Sequence, residues 1–221
     1  MNVIITGATG MVGKGVLLEC LEHADIAKVL HIGRSSPGIQ HPKLNELIHK
    51  DFSQWGEVKD QLSGYDACFF CLGISAAGLK EEEYKTITYD YTMSLAKTLL
   101  EINPELTFNY VSGQGTDTSE KGKMMWARVK GKTENDLLKL GFKKAYMFRP
   151  GMIIPLKGIK SRTKSYQFMY DYFMWLVKLV KFISPNSVVN TTQLGLAMIH
   201  SAQKGYDREI IAPKDIILIS K

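Results

Sequence analysis

The stretch Val3-Ile4-Ile5-Thr6-Gly7-Ala8-Thr9-Gly10-Met11-Val12-Gly13 decides the fold. It opens as a short β-branched run, the pattern of a buried parallel strand, and then passes through glycines spaced three apart into a helical run around Lys14–His23. Each glycine serves a separate physical purpose. One closes a tight turn, one admits a pyrophosphate to the backbone, and one lets helix and strand pack closely. Free backbone N–H groups and the positive end of the helix dipole would then hold the pyrophosphate. The competing phosphate-binding motif, the P-loop, does not fit. Ala8 stands where its first glycine belongs, and Gly15 where a magnesium-binding Ser or Thr belongs.

The second strand of such a unit ends about twenty residues on, beside the adenosine ribose. Lys28–Gly33 reads as that strand, followed by Arg34, Ser35 and Ser36. An Asp or Glu there would bond the ribose 2′-hydroxyl and repel a 2′-phosphate. A guanidinium offers a planar fork to the phosphate instead, so Arg34 points to NADP(H) in preference to NAD(H).

With 221 residues, 45% of them hydrophobic, the chain can bury one full α/β core and is short for two large domains. The net charge of +6 is spread over scattered lysines, which argues for a solvated surface that attracts an anionic cofactor and against a nucleic-acid footprint. No signal-peptide pattern opens the sequence, and a cytoplasmic location is expected. Cys20, Cys68 and Cys71 give no disulfide framework; Cys68 and Cys71 lie in a strand-like run and read as core. The five histidines lack metal-ligand spacing, so no metal is expected.

Strand and helix patterns alternate from end to end. After Gly33 come Glu46–Lys50, a strand Asp66–Leu72, a long helix Glu82–Ile102 and a strand Leu106–Val111. A helix Met125–Leu140 and a strand Ala145–Arg149 follow. Alternation of this kind predicts a doubly wound parallel sheet with helices on both faces, with ligands bound beyond the carboxyl ends of the strands.

Several of those strand ends carry a resemblance. Thr6–Gly13, Asp51-Phe52, Cys71-Leu72-Gly73, Ser112, Lys130 and Arg149-Pro150-Gly151 together resemble the short-chain dehydrogenase/reductase superfamily. The chain is similar especially to its atypical branch of small NAD(P)-binding, epimerase-like proteins related to the Tat-interacting oxidoreductase-like protein. The resemblance is specific through Gly151 and only general beyond it. It implies a Rossmann-type domain with a cofactor site built from Gly7, Thr9, Gly10, Met11, Val12, Gly13, Arg34, Ser35, Arg149, Pro150 and Gly151. Asp51 and Phe52 would lie beside the adenine, and Leu72 and Gly73 would flank the cofactor. Ser112 would orient a substrate carbonyl or hydroxyl. Lys130 would hold the nicotinamide ribose and lower the pKa of a tyrosine four residues before it.

That tyrosine is missing. Four residues before Lys130 stands Trp126, whose indole N–H donates a hydrogen bond but cannot shuttle a proton. Tyr110, Tyr84, Tyr89, Tyr91, Asp117 and Glu120 are the candidate substitutes.

The segment Tyr166–Ile183 is rich in aromatic and aliphatic residues, but Asp171, Lys178 and Lys181 interrupt it and its length is marginal for a membrane span. It reads as a roof over the substrate pocket, then as a homodimer face, then as an interfacial membrane helix. A helix Thr192–Gln203 and a strand at Glu209–Ala212 or Ile216–Ile219 complete the chain. The expectation is one NAD(P)-binding domain over residues 1–221, with 151–221 adding a small helical cap. Two functions remain open: an oxidoreductase or epimerase-like enzyme on a small carbonyl or hydroxyl substrate, and a non-catalytic cofactor-binding regulator.

Overall fold

The computed structural model describes residues 1–159 and 187–221. The Tyr166–Ile183 segment, with the roof, dimer and interfacial roles considered for it, lies outside the described residues. Strand β1 (Asn2–Thr6) leads into helix α1 (Met11–Glu22), followed by β2 (Lys28–Gly33), β3 (Leu44–Ile48) and a 3₁₀ segment at Gly56–Leu62. Next come β4 (Ala67–Phe70), α2 (Glu81–Lys85), a π-helical turn (Thr86–Asp90), α3 (Tyr91–Ile102), β5 (Thr107–Val111), α4 (Met125–Lys139) and β6 (Lys144–Phe148). Short strands β7 (Met152–Ile154) and β8 (Val188–Asn190), helix α5 (Thr191–Lys204), strand β9 (Ile210–Ile211) and helix α6 (Pro213–Ile219) follow.

Seven strands form one sheet in the order β3-β2-β1-β4-β5-β6-β9, with every pairing parallel. The order reverses direction between β1 and β4, so the crevice at the carboxyl edge opens where the glycine turn leaves β1. Side-chain alternation explains how one sheet serves two cores. Val3, Ile5, Val29, Phe69 and Phe148 pack with Val16, Leu17, Leu194 and Met198 of α1 and α5. Ile4, Ile32, Phe70 and Phe108 point the other way, onto Leu95 and Leu99 of α3 and Leu137 of α4. Helices α1 and α5 approach closely because Gly15 lies against Thr191 and Gly195 against Glu19, where a Cβ would collide.

The expected long helix is present from Glu81 to Ile102, but its middle widens into the π-helical turn. Three acidic residues, Glu81–Glu83, occupy its first turn and complement the helix dipole there. Of the two places offered for the last strand, Ile210–Ile211 takes it, whereas Ile216–Ile219 lies in α6, which starts with Pro213 at its first turn. The two-stranded sheet of β7 and β8 was not legible, because each has only three residues and they are far apart in sequence. No helix among the described residues is long and apolar enough to cross a membrane.

Candidate functional site

The glycine turn is built as its spacing demands. Gly7 has φ +72°, and a Cβ on it would lie 2.5 Å from the Cys71 carbonyl oxygen, so the end of β1 can approach the end of β4 only as glycine. The Leu72 N–H donates to Thr6 Oγ1 at 3.1 Å and ties the same two strand ends together. Gly13 faces the turn itself, where a Cβ would press into the Gly7 carbonyl. Gly10, the N-cap of α1, is different. It has an ordinary extended backbone, and a Cβ there would meet only the Gly7 oxygen, at an unstrained 3.4 Å. Intramolecular packing therefore does not demand glycine at position 10. A dinucleotide backbone approaching the helix N-terminus does, so the turn fits a dinucleotide cofactor. Thr9, Met11 and Val12 flank this bed; Met11 and Val12 open α1.

Around it stand the other expected residues. Arg34 and Ser35 are exposed just past β2, and the Ser35 carbonyl lies 3.1 Å from Nε2 of the buried His31. Asp51 is exposed. Its carboxyl accepts from the Ser53 hydroxyl at 2.6 Å and from the Ser53 N–H at 2.9 Å, bonds that hold its pKa below the usual value. Phe52 is not a surface group: it is buried against Trp55 and Tyr91. Leu72 is partly buried, and at the exposed Gly73 a Cβ would meet nothing, as at Gly113 just past β5.

At the end of β5 the geometry departs from expectation. Ser112 is buried, and its hydroxyl donates to Glu134, with the Phe148 carbonyl as a second acceptor at 3.1 Å. It is engaged inside the protein rather than turned outward. Arg149 is likewise committed. Its Nε lies 3.0 and 3.1 Å from the two Glu134 oxygens, Nη2 pairs with the same carboxylate, and Nη2 also donates to Thr118 Oγ1 at 2.7 Å. Glu134 is the residue the sequence reading missed. Its side chain is only 1% exposed, and it joins α4 to the ends of β5 and β6. The signal was available, because Glu134 follows Lys130 by four positions and so shares its helix face. Pro150 and Gly151 act through backbone: the Pro150 carbonyl accepts from Gln114 N–H at 2.8 Å, and Gly151 lies against Ser187 and Gln114.

Lys130 rises from α4 to the same place. Its ammonium donates to the Ser112 carbonyl, and burial pushes its pKa down to about 8, with the Glu134 charge opposing the fall. Trp126, one turn earlier, lays its ring against Gly115 in the β5–α4 loop. A separate shallow pocket lined by Glu81, Lys85, Tyr89, Arg128 and Lys132 lies away from the strand ends. Most of its charges are paired, Arg128 with Glu81, Lys132 with Asp136 and Lys85 with Asp90, while Glu120, which also lines it, accepts from Asn135 Nδ2.

No protein-family model matches the chain. Among curated proteins, it is 28% identical to Protein FMP52, mitochondrial, of Candida albicans over 99% of this chain and 94% of that protein. It is 30% identical to the Aspergillus fumigatus protein of the same name over 69% of this chain and 66% of that one. Rat Protein HTATIP2 is 29% identical over 69% of this chain and 63% of its own length, so that match spans less than two thirds of the relative. Among solved structures, a UDP-N-acetylglucosamine 4-epimerase from Methanobrevibacter ruminantium, in complex with UDP-N-acetylmuramic acid, superposes with a TM-score of 0.71 at 16% identity. The superposition covers 95% of this chain and 75% of the epimerase. The fold is that of the atypical, epimerase-like short-chain dehydrogenase/reductases. The Bordetella bronchiseptica enzyme WbmF in complex with NAD+ shares it, with a TM-score of 0.70 at 11% identity over 98% of this chain and 76% of WbmF.

Proposed function

We propose that this chain is an NADP(H)-dependent oxidoreductase or epimerase-like enzyme acting on a small carbonyl or hydroxyl compound. The observation that carries the reading is Gly10, where the protein's own packing leaves room for a Cβ but a pyrophosphate at the α1 N-terminus would not. The cofactor would supply hydride chemistry, and the protein positions it. Backbone groups from Gly7 to Gly13 would take the pyrophosphate. Exposed Arg34, with Ser35, would take the 2′-phosphate, and Asp51 the adenine edge. Leu72 and Gly73 would flank the middle of the cofactor.

Lys130 would face the nicotinamide end, held there by the Ser112 carbonyl. Ser112 and Arg149 serve this arrangement as positioning residues through Glu134, a role that replaces direct contact with substrate or cofactor. Within 151–221, the region expected as a cap, helix α5 packs with α1 on the sheet and β9 extends the sheet itself, so both belong to the domain core. The curated fungal relatives are named mitochondrial, so a mitochondrial location stands beside the cytoplasmic one read from the sequence.

A second reading, a cofactor-binding regulator without catalysis, is favoured by one observation. Trp126 occupies the tyrosine position and covers Gly115. The two separate in NADPH oxidation assays over a panel of small aldehydes and ketones. Trp126→Tyr puts a phenol one helical turn from the Lys130 ammonium, and turnover should rise at least about tenfold. No turnover in wild type or variant, with NADPH binding intact, leaves the regulator.

A further inference from the structure

With tyrosine absent, the structure narrows where a proton could come from. Tyr110 and Tyr84 are fully enclosed in the core, and burial raises both of their pKa values. Tyr89 donates to Asp136 at 2.8 Å and lies under Lys132, on the side of α4 that carries the separate shallow pocket. Tyr91 packs its ring on Phe52. Asp117 is consumed by its own loop, accepting from Ser119 N–H at 3.0 Å, the Ser119 hydroxyl at 2.6 Å and Gly122 N–H at 2.6 Å. Glu120 accepts from Asn135 Nδ2 at 2.7 Å. Each of these groups is accounted for elsewhere.

The end of β5 retains two titratable side chains from α4, Glu134 and Lys130. Glu134 is buried between Arg149 and Ser112. Lys130 holds its ammonium on the Ser112 carbonyl, one residue before Gly113, where a Cβ would meet open space.

We propose that Lys130 is itself the proton donor of the reduction, the part a tyrosine would otherwise play. The inference rests on the reductase reading above. As hydride and its electron pair reach the carbonyl carbon, the C=O π pair moves to oxygen. A Lys130 N–H bond breaks, its pair staying on nitrogen, and the proton forms the O–H bond. Alcohol, oxidised cofactor and neutral amine result, and the amine regains its proton from water. The groups around Lys130 suit this chemistry. Glu134 from its own helix favours the charged form and is itself paired with Arg149 from the end of β6, while burial raises the pKa values of Tyr110 from β5 and Tyr84 from α2. Desolvation leaves the ammonium a stronger acid than a surface lysine.

The test compares wild type with Lys130→Arg, which keeps the cation and its hydrogen bonds but has no proton to give below about pH 12. Expected are NADPH affinity within about threefold and kcat lower by about 100-fold. In wild type, kcat should be flat at low pH and fall tenfold per unit once the ammonium deprotonates. Independently of activity, 15N NMR of lysine side chains in the cofactor-free protein should show one amine, absent in Lys130→Arg, titrating well below the surface lysines. If Lys130→Arg fails to fold, the wild-type pH profile and the NMR titration decide. Wild-type turnover and pH profile persisting in Lys130→Arg, or a Lys130 amine that titrates with the surface lysines, overturns the inference and leaves the reductase reading standing. A protein that binds NADPH but turns over no carbonyl overturns both.

Discussion

Removing Glu134 tests the network that joins α4 to the ends of β5 and β6. Its carboxylate takes the Arg149 guanidinium and the Ser112 hydroxyl with its side chain 1% exposed, whereas Arg149 is 18% exposed and keeps a 2.7 Å bond to Thr118. Breaking a buried pair costs about 3–5 kcal/mol, mostly as the penalty on the charge left behind. The two halves should therefore not be equal. Glu134→Ala leaves a partly solvated, still-bonded Arg149 and should cost about 3 kcal/mol; the Ser112 hydroxyl falls back on the Phe148 carbonyl at 3.1 Å. Arg149→Ala strands an enclosed carboxylate and should cost more, about 4 kcal/mol. The double replacement Glu134→Leu/Arg149→Met leaves no charge unpaired and should cost less than either single change. Urea denaturation at pH 7 gives all three values. Single variants each within about 1 kcal/mol of wild type, or a double variant equal to their sum, would refute the reasoning.

Other expectations follow from the same geometry. Gly10→Ala should fold with a loss of about 1 kcal/mol or less and yet lose NADPH binding, because the new methyl has room in the protein but not beneath a pyrophosphate. Gly13→Ala should lose both binding and about 1–3 kcal/mol of stability, since its Cβ presses into the Gly7 carbonyl; thermal melts and fluorescence titration of both variants check this. For Lys130, the folded pKa of about 8 lies below that of an unfolded lysine near 10.4, so between these values the unfolded chain binds more protons. Wild-type stability should rise relative to Lys130→Met as pH increases from about 8 to 10, by up to about 3 kcal/mol, with the penalty complete below about pH 8; denaturation at pH 7, 8, 9 and 10 measures it.

Most of the sheet could be read from the sequence because its central strands are short apolar runs, whereas β3, expected at Glu46–Lys50, lies at Leu44–Ile48 and is mostly exposed. Lys28–Gly33 is found at its expected bounds, and Met125–Leu140 falls within one residue of α4. Less regular pieces escaped. The π-helical turn at Thr86–Asp90 has no periodicity distinct from the helix around it, and β7 and β8 depend on a pairing between remote segments. Within the site, the strand-end positions of Gly7, Gly73 and Ser112 and the helical position of Lys130 on α4 were legible, but the direction of the Ser112 hydroxyl was not. That direction is set by Glu134 and Arg149, a charge pair made only when α4 docks on β6. A buried glutamate four residues after a lysine looks, in sequence, like an ordinary solvated helix pair.

Calorimetric titration of the full chain with NADPH and with NADH, for wild type and Arg34→Ala, tests the central claim most directly. The account predicts one saturable NADPH site per chain, at least about tenfold weaker binding of NADH, and loss of that preference in Arg34→Ala, because charge-assisted bonds to the 2′-phosphate are removed. Equal wild-type affinities would contradict the assignment of Arg34, and no saturable binding of either nucleotide would contradict the cofactor site itself.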